Sequence, residues 1–480
     1  MTSPEADRSA ALSATSVASL TVLSPDGAGC CEESARHEGR LARLWSHVAP
    51  RRENAERLTA LTAFLYGALP AVGGSAITVL SILGASWSLL YLLLERPRIR
   101  FTTAQKWIVT TYLFFALTTL VSGLVRKDPW MGFVRAVNDW PFLYSLISFS
   151  VLASLGLVDC RRPLARGAAI GSILGFLVGA FQFTFMDLGV YRPSGGAGNS
   201  AQFGQAGVVL AFLSLLCFSR ETPTWRSLSI LGFVCGLGSV VVSGSRASAL
   251  SACVLSLALF AYWVSQREWT VLRRAGGVGL LLLIIAAGTF PMWKDSAPAE
   301  RFRNLAHRLD QMDDREQAVE SIDQRMIQIR ASWKGLWRRP WLGYGMQHKM
   351  KAISKLEPPQ YAVVFHHTHI HFLYLDYAVG NGVIGFVSLM LLLTAPMAVC
   401  WLPGDPLRAE RLYGGAVLTL GFATLGLAGA SLGMDIGNSM FACFATILVI
   451  PAMAARTATA ANPLDEESTP VSEVTLRRAA

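Results

Sequence analysis

The chain has 480 residues, of which 52% are apolar and 15% charged, and its formal net charge is +10. Soluble domains average about 25% charged residues, and 480 residues exceed the size at which one hydrophobic core keeps growing, so an ordinary soluble globular protein is excluded. The arginines are scattered over short connections between apolar runs and form no nucleic-acid-binding motif, so the positive balance does not imply a nucleic-acid partner.

In chain order, residues 1–57 come first, rich in Ala, Ser and Thr near the start and in Arg near the end. They lack the apolar core of a secretory signal and are predicted to be a disordered cytoplasmic tail. Apolar windows of about 19 residues then predict about twelve spans. They lie at 58–74, 76–94, 106–124, 141–158, 167–186, 203–219, 227–244, 247–265, 275–292, 373–400, 412–431 and 436–455. Ten or eleven spans remain open, because only the Gly-rich turn from Ala71 to Ser75 divides the first pair. The organisation expected is nine spans over 58–292, a large loop over 293–371, three spans over 372–456 and a polar cytoplasmic tail over 457–480.

Charge sets the orientation. Basic residues fill alternate connections: Arg51, Arg52 and Arg57; Arg96, Arg98 and Arg100; Arg161, Arg162 and Arg166; Arg220 and Arg226; Arg267, Arg273 and Arg274; Arg408 and Arg411. The positive-inside rule puts these connections and both termini in the cytoplasm and the 293–371 loop outside, in a periplasm if the host has one. Cys30, Cys31, Cys160, Cys217, Cys235, Cys253, Cys400 and Cys443 all fall outside that loop, so it has no disulfide scaffold, and no CxxC spacing occurs.

Arg192, Arg246 and Arg325 break the charge rule by falling on the outer side. Arg192 opens the Gly-rich connection RPSGGAGNSAQFGQ, Arg246 sits in the turn VSGSRAS, and Arg325 lies inside the large loop. Arginine suits bidentate phosphate recognition; a lipid headgroup or a local carboxylate is the plainer partner for any one of them. Arg126, Lys127 and Arg135 read as headgroup contacts. Within the loop, helical periodicity over 299–312 and 318–337 predicts two amphipathic helices along the outer surface. Trp333, Trp337 and Trp341 read as interfacial anchors.

The loop re-enters the apolar region through VVFHHTHIHFLYLDYAVGNGVIGF, with His366, His367, His369 and His371 in six positions. Titratable groups at a water–lipid boundary are costly unless something uses them. An interfacial role is open, and His367 and His371, four apart, could share a zinc ion on a helix, although no acidic residue or Cys lies within the cluster. Asp376 and Asp435 read as packing or orienting groups.

Taken in order, these segments resemble the O-antigen ligase and O-antigen polymerase superfamily of bacterial membrane glycosyltransferases. The resemblance rests on Arg192 through Asn199, on Gly244-Ser245-Arg246, and on Arg325, Ile329, Pro340 and Gly343-Tyr344-Gly345. It rests also on His369-Ile370-His371, Leu373-Tyr374-Leu375-Asp376 and Gly382-Val383-Ile384-Gly385, and covers residues 190–390. One position departs: Phe372 stands where the family has Asn after the second histidine. Anchoring on Leu-Tyr-Leu-Asp makes His371 the equivalent of the functional histidine, with His369 second.

The resemblance implies an all-α polytopic, GT-C-like membrane fold of about twelve helices with one large periplasmic loop. It implies a glycan donor linked to undecaprenyl diphosphate and, as acceptor, a sugar hydroxyl on lipid A-core or on another lipid-linked glycan. His371 becomes the candidate general base, Arg246 and Arg325 the diphosphate clamps, and Arg192 a third contact. No cofactor or metal is implied. An O-antigen ligase in the bacterial inner membrane, its site facing the periplasm, is the first expectation, and a polymerase of the same superfamily the second. A protein O-oligosaccharyltransferase and a polysaccharide or lipid transporter stand behind them. The sequence shows no internal repeat or paired broken helices of the transporter kind.

Overall fold

A computed structural model of the chain describes residues 52–99, 101, 103–125, 139–155, 160–186, 192–265, 321–401 and 407–461, all within one compact unit. Among these residues every regular element is a helix. The first group is α1 Arg52–Ala68, α2 Pro70–Gly73, α3 Ala76–Glu95, α4 Thr103–Val125, α5 Trp140–Leu155, α6 Arg161–Phe185 and α7 Ser200–Ser214. There follow α8 Pro223–Ser243, α9 Arg246–Ser265, α10 Ser321–Arg338, α11 Lys349–Ser354, α12 Leu373–Trp401, α13 Arg408–Ala428 and α14 Asp435–Ala461.

Five helical stretches are long and apolar enough to cross a membrane: Ala76–Glu95, Gln105–Leu124, Arg161–Phe185, Pro223–Ser243 and Leu373–Trp401. Trp140–Ala153, Arg246–Phe260 and Asp435–Val449 are shorter apolar helices. Their outward faces carry exposed apolar side chains, such as Val79, Leu83, Leu90 and Leu94 on α3 and Leu174, Leu177 and Phe181 on α6. In water that surface would be costly; against acyl chains it is matched. The chain is a multi-pass membrane protein.

Two expected spans have different shapes. The apolar run 58–74 is interrupted, with α1 ending at Ala68 and Pro70 opening α2, because proline has no N–H with which to continue the ladder. The run 203–219 ends as an α-helix at Ser214 and passes into the short 3-10 turn Phe218–Arg220. The segment 275–292, the loop helix expected over 299–312, and Arg126, Lys127 and Arg135 lie outside the described residues.

The bundle centres on α7, whose residues 203–214 are all buried, only its first three residues reaching the surface. Helices buried all round belong to the interior of a large assembly of helices. Around it pack α6 and α8; α1 lies on α6, α12 lies between α4 and α13, and α5 lies against α3 and α14. Glycines at every fourth position of α6 (Gly167, Gly171, Gly175) let α1 and α2 approach backbone to backbone. A Cβ on Gly167 would stand 1.9 Å from the Phe64 carbonyl oxygen, the small-residue contact that joins helices where no hydrophobic effect operates between them.

The basic connections at one end of the bundle are knitted by carboxylates. Arg166 donates from Nε and Nη2 to both oxygens of buried Glu221 at 3.1 and 2.8 Å. Arg220 Nε reaches Glu410 at 2.6 Å, and the fully buried Arg161 stands 3.8 Å from the same carboxylate.

Candidate active site

At the other end, α10 lies against α12 and turns two unlike faces outward and inward. Met326, Trp333 and Trp337 are exposed, whereas Gln328, Ala331 and Ser332 are buried. The expected 318–337 helix is thus an amphipathic helix over Ser321–Arg338. Arg325 sits one turn before Gln328 and is half-buried.

Gln328 holds the histidine loop at both ends. Its Nε2 donates to the Val364 carbonyl at 2.9 Å, and its Oε1 accepts from the His371 N–H at 3.4 Å. A second anchor lies one residue earlier: Asp376 Oδ1 accepts from the Ile370 N–H at 2.6 Å. The other oxygen of Asp376 accepts from Lys349 Nζ at 2.6 Å, and both side chains are buried. A carboxylate can be kept there because a cation and a peptide N–H both satisfy it. Asp376 is therefore an orienting group, acting on the loop backbone through Ile370. Where Phe372 replaces the family's Asn, backbone anchoring by Gln328 and Asp376 fixes the position of His371.

The same neighbourhood contains a break in α12. Gly382 has φ 71°, ψ −166° within an otherwise helical run, a conformation open to glycine because it has no Cβ. The freed backbone groups are met by the large loop: Tyr344 N–H donates to Val379 O at 2.9 Å, Gly345 N–H to Gly380 O at 2.7 Å, and Val383 N–H to Pro340 O at 2.6 Å. Gly343 approaches so closely that a Cβ there would meet the Val379 carbonyl oxygen at 2.3 Å. The two Gly motifs of the sequence are thus two sides of one contact. It docks the loop against a broken helix without leaving backbone polar groups unpaired in an apolar setting.

The histidines form a cluster around His371. Its ring centroid lies 4.9 Å from that of His369 and 5.1 Å from that of His367, both edge-on. Thr368 Oγ1 is 3.2 Å from His369 Nδ1. Burial, followed by the charges of His369, Arg325 and His367, pushes the His371 pKa down to about 4, while Asp376 pulls the other way. His371 is neutral at physiological pH. The Arg325 pKa is lowered by burial and then by the charge of Arg246.

The structure therefore brings Arg246, Arg325, His371 and His369 together from three elements. Arg246 opens α9 directly after Gly244, whose φ of 60° makes the turn, and is half-buried. No carboxylate pairs with Arg246 or Arg325 among the described residues. Arg192 is exposed at the start of the Gly-rich connection, and its charge is not among those acting on Arg325 or His371. That connection is instead tied down by Gln182 Oε1, which accepts from the Ser194 and Gly195 N–H groups at 3.0 and 2.9 Å. Asn199 caps α7 through the Gln202 N–H at 2.8 Å.

Sequence reasoning passed over Gln328 and Lys349. A lone Gln and a lone Lys in a polar loop carry no pattern; only the buried depth of both marks them. No group of three or more His, Cys, Asp or Glu side chains among the described residues is arranged to hold a metal ion.

A multi-pass helical membrane protein with arginines and a half-buried neutral histidine gathered at one end is the class that this fold and site define. Residues 231–390, one third of the chain, match the family described as O-antigen ligase. The match includes Arg246, Arg325, His369 and His371 and excludes Arg192. Over this stretch the chain is similar to the O-antigen ligases, and the match supports membership of the O-antigen ligase superfamily. No curated protein matches it.

Proposed function

We propose that the protein is an O-antigen ligase, moving a finished polysaccharide from undecaprenyl diphosphate to a sugar hydroxyl of lipid A-core. The proposal includes its setting: the bacterial inner membrane, about twelve spans, cytoplasmic tails at 1–57 and 457–480, and the 293–371 loop in the periplasm.

The observation that carries the reading is the charge around Arg325. This guanidinium is drawn partly out of water against a second one, Arg246, and against His371, with no carboxylate among the described residues to offset it. A site that holds cations together at this cost is built for an anion, and a diphosphate presents the paired oxygens that a guanidinium fork fits.

In the reaction, the acceptor hydroxyl oxygen attacks the anomeric carbon, the bond from that carbon to the diphosphate oxygen breaks, and the bonding pair leaves with the diphosphate. The hydroxyl proton passes to His371, neutral and so able to receive it. Arg246 and Arg325 stabilise the charge that grows on the leaving group. Diphosphate bound between them also offsets the Arg325 charge that depresses His371, so donor binding raises the basicity of the histidine when it is needed. Arg192, at the rim, meets the donor outside this pair.

Deletion of the gene, with surface polysaccharide examined on a gel, tests the reading. A ligase leaves lipid A-core bare while long polymer accumulates on undecaprenyl diphosphate. A single repeat remaining on lipid A-core would instead mean a polymerase. His371→Ala is expected to abolish transfer at unchanged protein level; full activity in that variant would remove the histidine from the mechanism and make His369→Ala the next test.

A further inference from the structure

A cavity of about 230 Å³ opens beside the histidine loop, lined by Gln202, Thr368, His369, Asp376, Met434 and Asp435 among others. Arg246 and Arg325 do not line it. It joins elements far apart in sequence: the α7 N-terminus, the histidine loop and the segment leading into α14.

Its chemistry is opposite to that of the arginine pair. Asp376 is committed to Lys349 and to the Ile370 N–H, so the carboxylate presented is that of Asp435. Ser75 bonds one of its oxygens at 2.5 Å, and the other has no hydrogen-bond partner among the described residues. Thr368 adds a hydroxyl and His369 an imidazole, while Ala430, Leu432 and Met434 add an apolar wall. Directional acceptors and donors together with apolar side chains in the lining match a sugar ring, with hydroxyls around its rim and C–H groups on its faces. A phosphate in this cavity would face the Asp435 carboxylate and be repelled.

The charge of Arg246 acts on Arg325, and those of Arg325 and His369 act on His371. His369 also lines the cavity that holds Asp435, so His371 has cationic groups and, through His369, the anionic cavity as neighbours. The volume is that of about eight waters at roughly 30 Å³ each, the scale of one sugar ring and not of a chain.

Resting on the glycosyl-transfer reading, we propose that this cavity is the acceptor subsite. It takes a single non-phosphorylated sugar residue and turns its reacting hydroxyl toward His369 and His371, while the donor diphosphate stays on the arginine side. Asp435 accepts a hydrogen bond from an acceptor hydroxyl, and Met434 packs on the ring face.

The test is steady-state transfer by the purified full chain in nanodiscs, with an undecaprenyl-diphosphate-linked glycan as donor and lipid A-core as acceptor, varying each in turn. Met434→Trp, which fills the cavity from its apolar wall, is expected to raise the acceptor KM by about tenfold or more and leave the donor KM within about twofold. Asp435→Asn, which keeps the shape, is expected to raise the acceptor KM and leave the donor KM unchanged. If the donor diphosphate sat in the cavity, Asp435→Asn would lower the donor KM by removing a repulsion, and that result overturns the proposal. So does a rise in the donor KM alone, or no change in either, in Met434→Trp. Donor binding measured on the same preparations shows that each variant is folded. A wild-type chain that transfers to neither lipid A-core nor a second lipid-linked glycan overturns the glycosyl-transfer reading itself, and this inference with it.

Discussion

The two ends of the helix bundle use arginine in opposite ways. At the basic end, Arg166 and Arg220 grip Glu221 and Glu410 through paired hydrogen bonds, and Arg161 closes on the same Glu410. At the other end, the charge of Arg246 acts on Arg325 and that of Arg325 on His371, and the carboxylate that acts on His371, Asp376, is already held by Lys349. The same side chain is a structural tie where its charge is neutralised within the protein and, in the proposed reaction, a diphosphate site where it is not. Charge alone does not separate these roles; the company of each guanidinium does.

Opposite substitution effects at the two ends follow, and they give the largest differences. Arg325→Met removes the proposed diphosphate contact, so transfer is expected to fall by about 10²–10³. Because burial and Arg246 already disfavour the Arg325 charge, thermal stability should hold or rise. Arg325→Lys keeps the charge but loses the two-pronged geometry and should recover only part of the rate. Arg166→Met is expected to behave the other way. It strands the buried Glu221 carboxylate and should cost about 3–5 kcal/mol of stability, with kcat of the surviving folded protein unchanged. Replacing both partners, Arg166→Met with Glu221→Leu, should restore most of that loss. Melting temperature and transfer rate measured on the same preparations decide it; a stability loss in Arg325→Met or a kcat loss in Arg166→Met breaks the contrast.

The buried Lys349–Asp376 pair tests whether a neutralised pair near the site is structural like those at the basic end. Lys349→Met leaves Asp376 buried with only the Ile370 N–H, and about 3–5 kcal/mol should be lost. Since Asp376 also holds the loop one residue from His371, kcat should fall as well, unlike Arg166→Met. Lys349→Arg, which keeps a cation, should recover stability better than rate if the loop position is what matters. Gln328→Leu gives a smaller effect of the same kind. It leaves the Val364 carbonyl and the His371 N–H unpaired, a penalty of about 1–3 kcal/mol. Its expected signature is a kcat about tenfold lower at unchanged donor binding.

Much of this was legible in the sequence, for physical reasons that differ by element. The apolar helices show because about 20 residues of hydrocarbon-compatible side chains are a local property of the chain. The two glycines on either side of Tyr344 are a case in between: Gly343 and Gly345 stand out as glycines, but their purpose, docking onto the break at Gly382, needs the contact between two distant segments. Arg246, Arg325 and His371 were marked by charge on the wrong side of the topology and by clustering. Gln328, Lys349 and the Asp435 cavity carried no mark. Each acts through a partner at least 27 positions away in sequence, as with Lys349 and Asp376, or through a surface assembled from separate helices. Pro70 showed as a residue, but its effect was hidden, because apolar averages do not register a missing N–H.

The smallest expected effect is on pH dependence, and it follows from which state of His371 the fold prefers. Folded, its pKa is about 4, below the ordinary 6.5, chiefly through burial. Above about pH 6.5 the histidine is neutral in both folded and unfolded chains and contributes no pH dependence. As pH falls from 6.5 toward 4, the unfolded chain takes up the proton first, so stability declines across that window, and the decline from this group ends below pH 4. His371→Gln should flatten the melting-temperature profile between pH 6.5 and 4, whereas the Arg166–Glu221 pair, whose carboxylate lies at the other end of the bundle, should leave that window's His371-dependent slope intact when replaced. For the reaction, the free enzyme should keep a neutral base well below pH 6.5, so the acid limb of kcat/KM lies lower than an ordinary histidine would place it. With the donor bound, the diphosphate offsets Arg325 and the limb in kcat should move upward. A kcat limb at the same pH as that of kcat/KM would mean that the bound donor leaves the charge around His371 unchanged, and the arginine end would then lose its distinction as the place where the substrate supplies the missing anion.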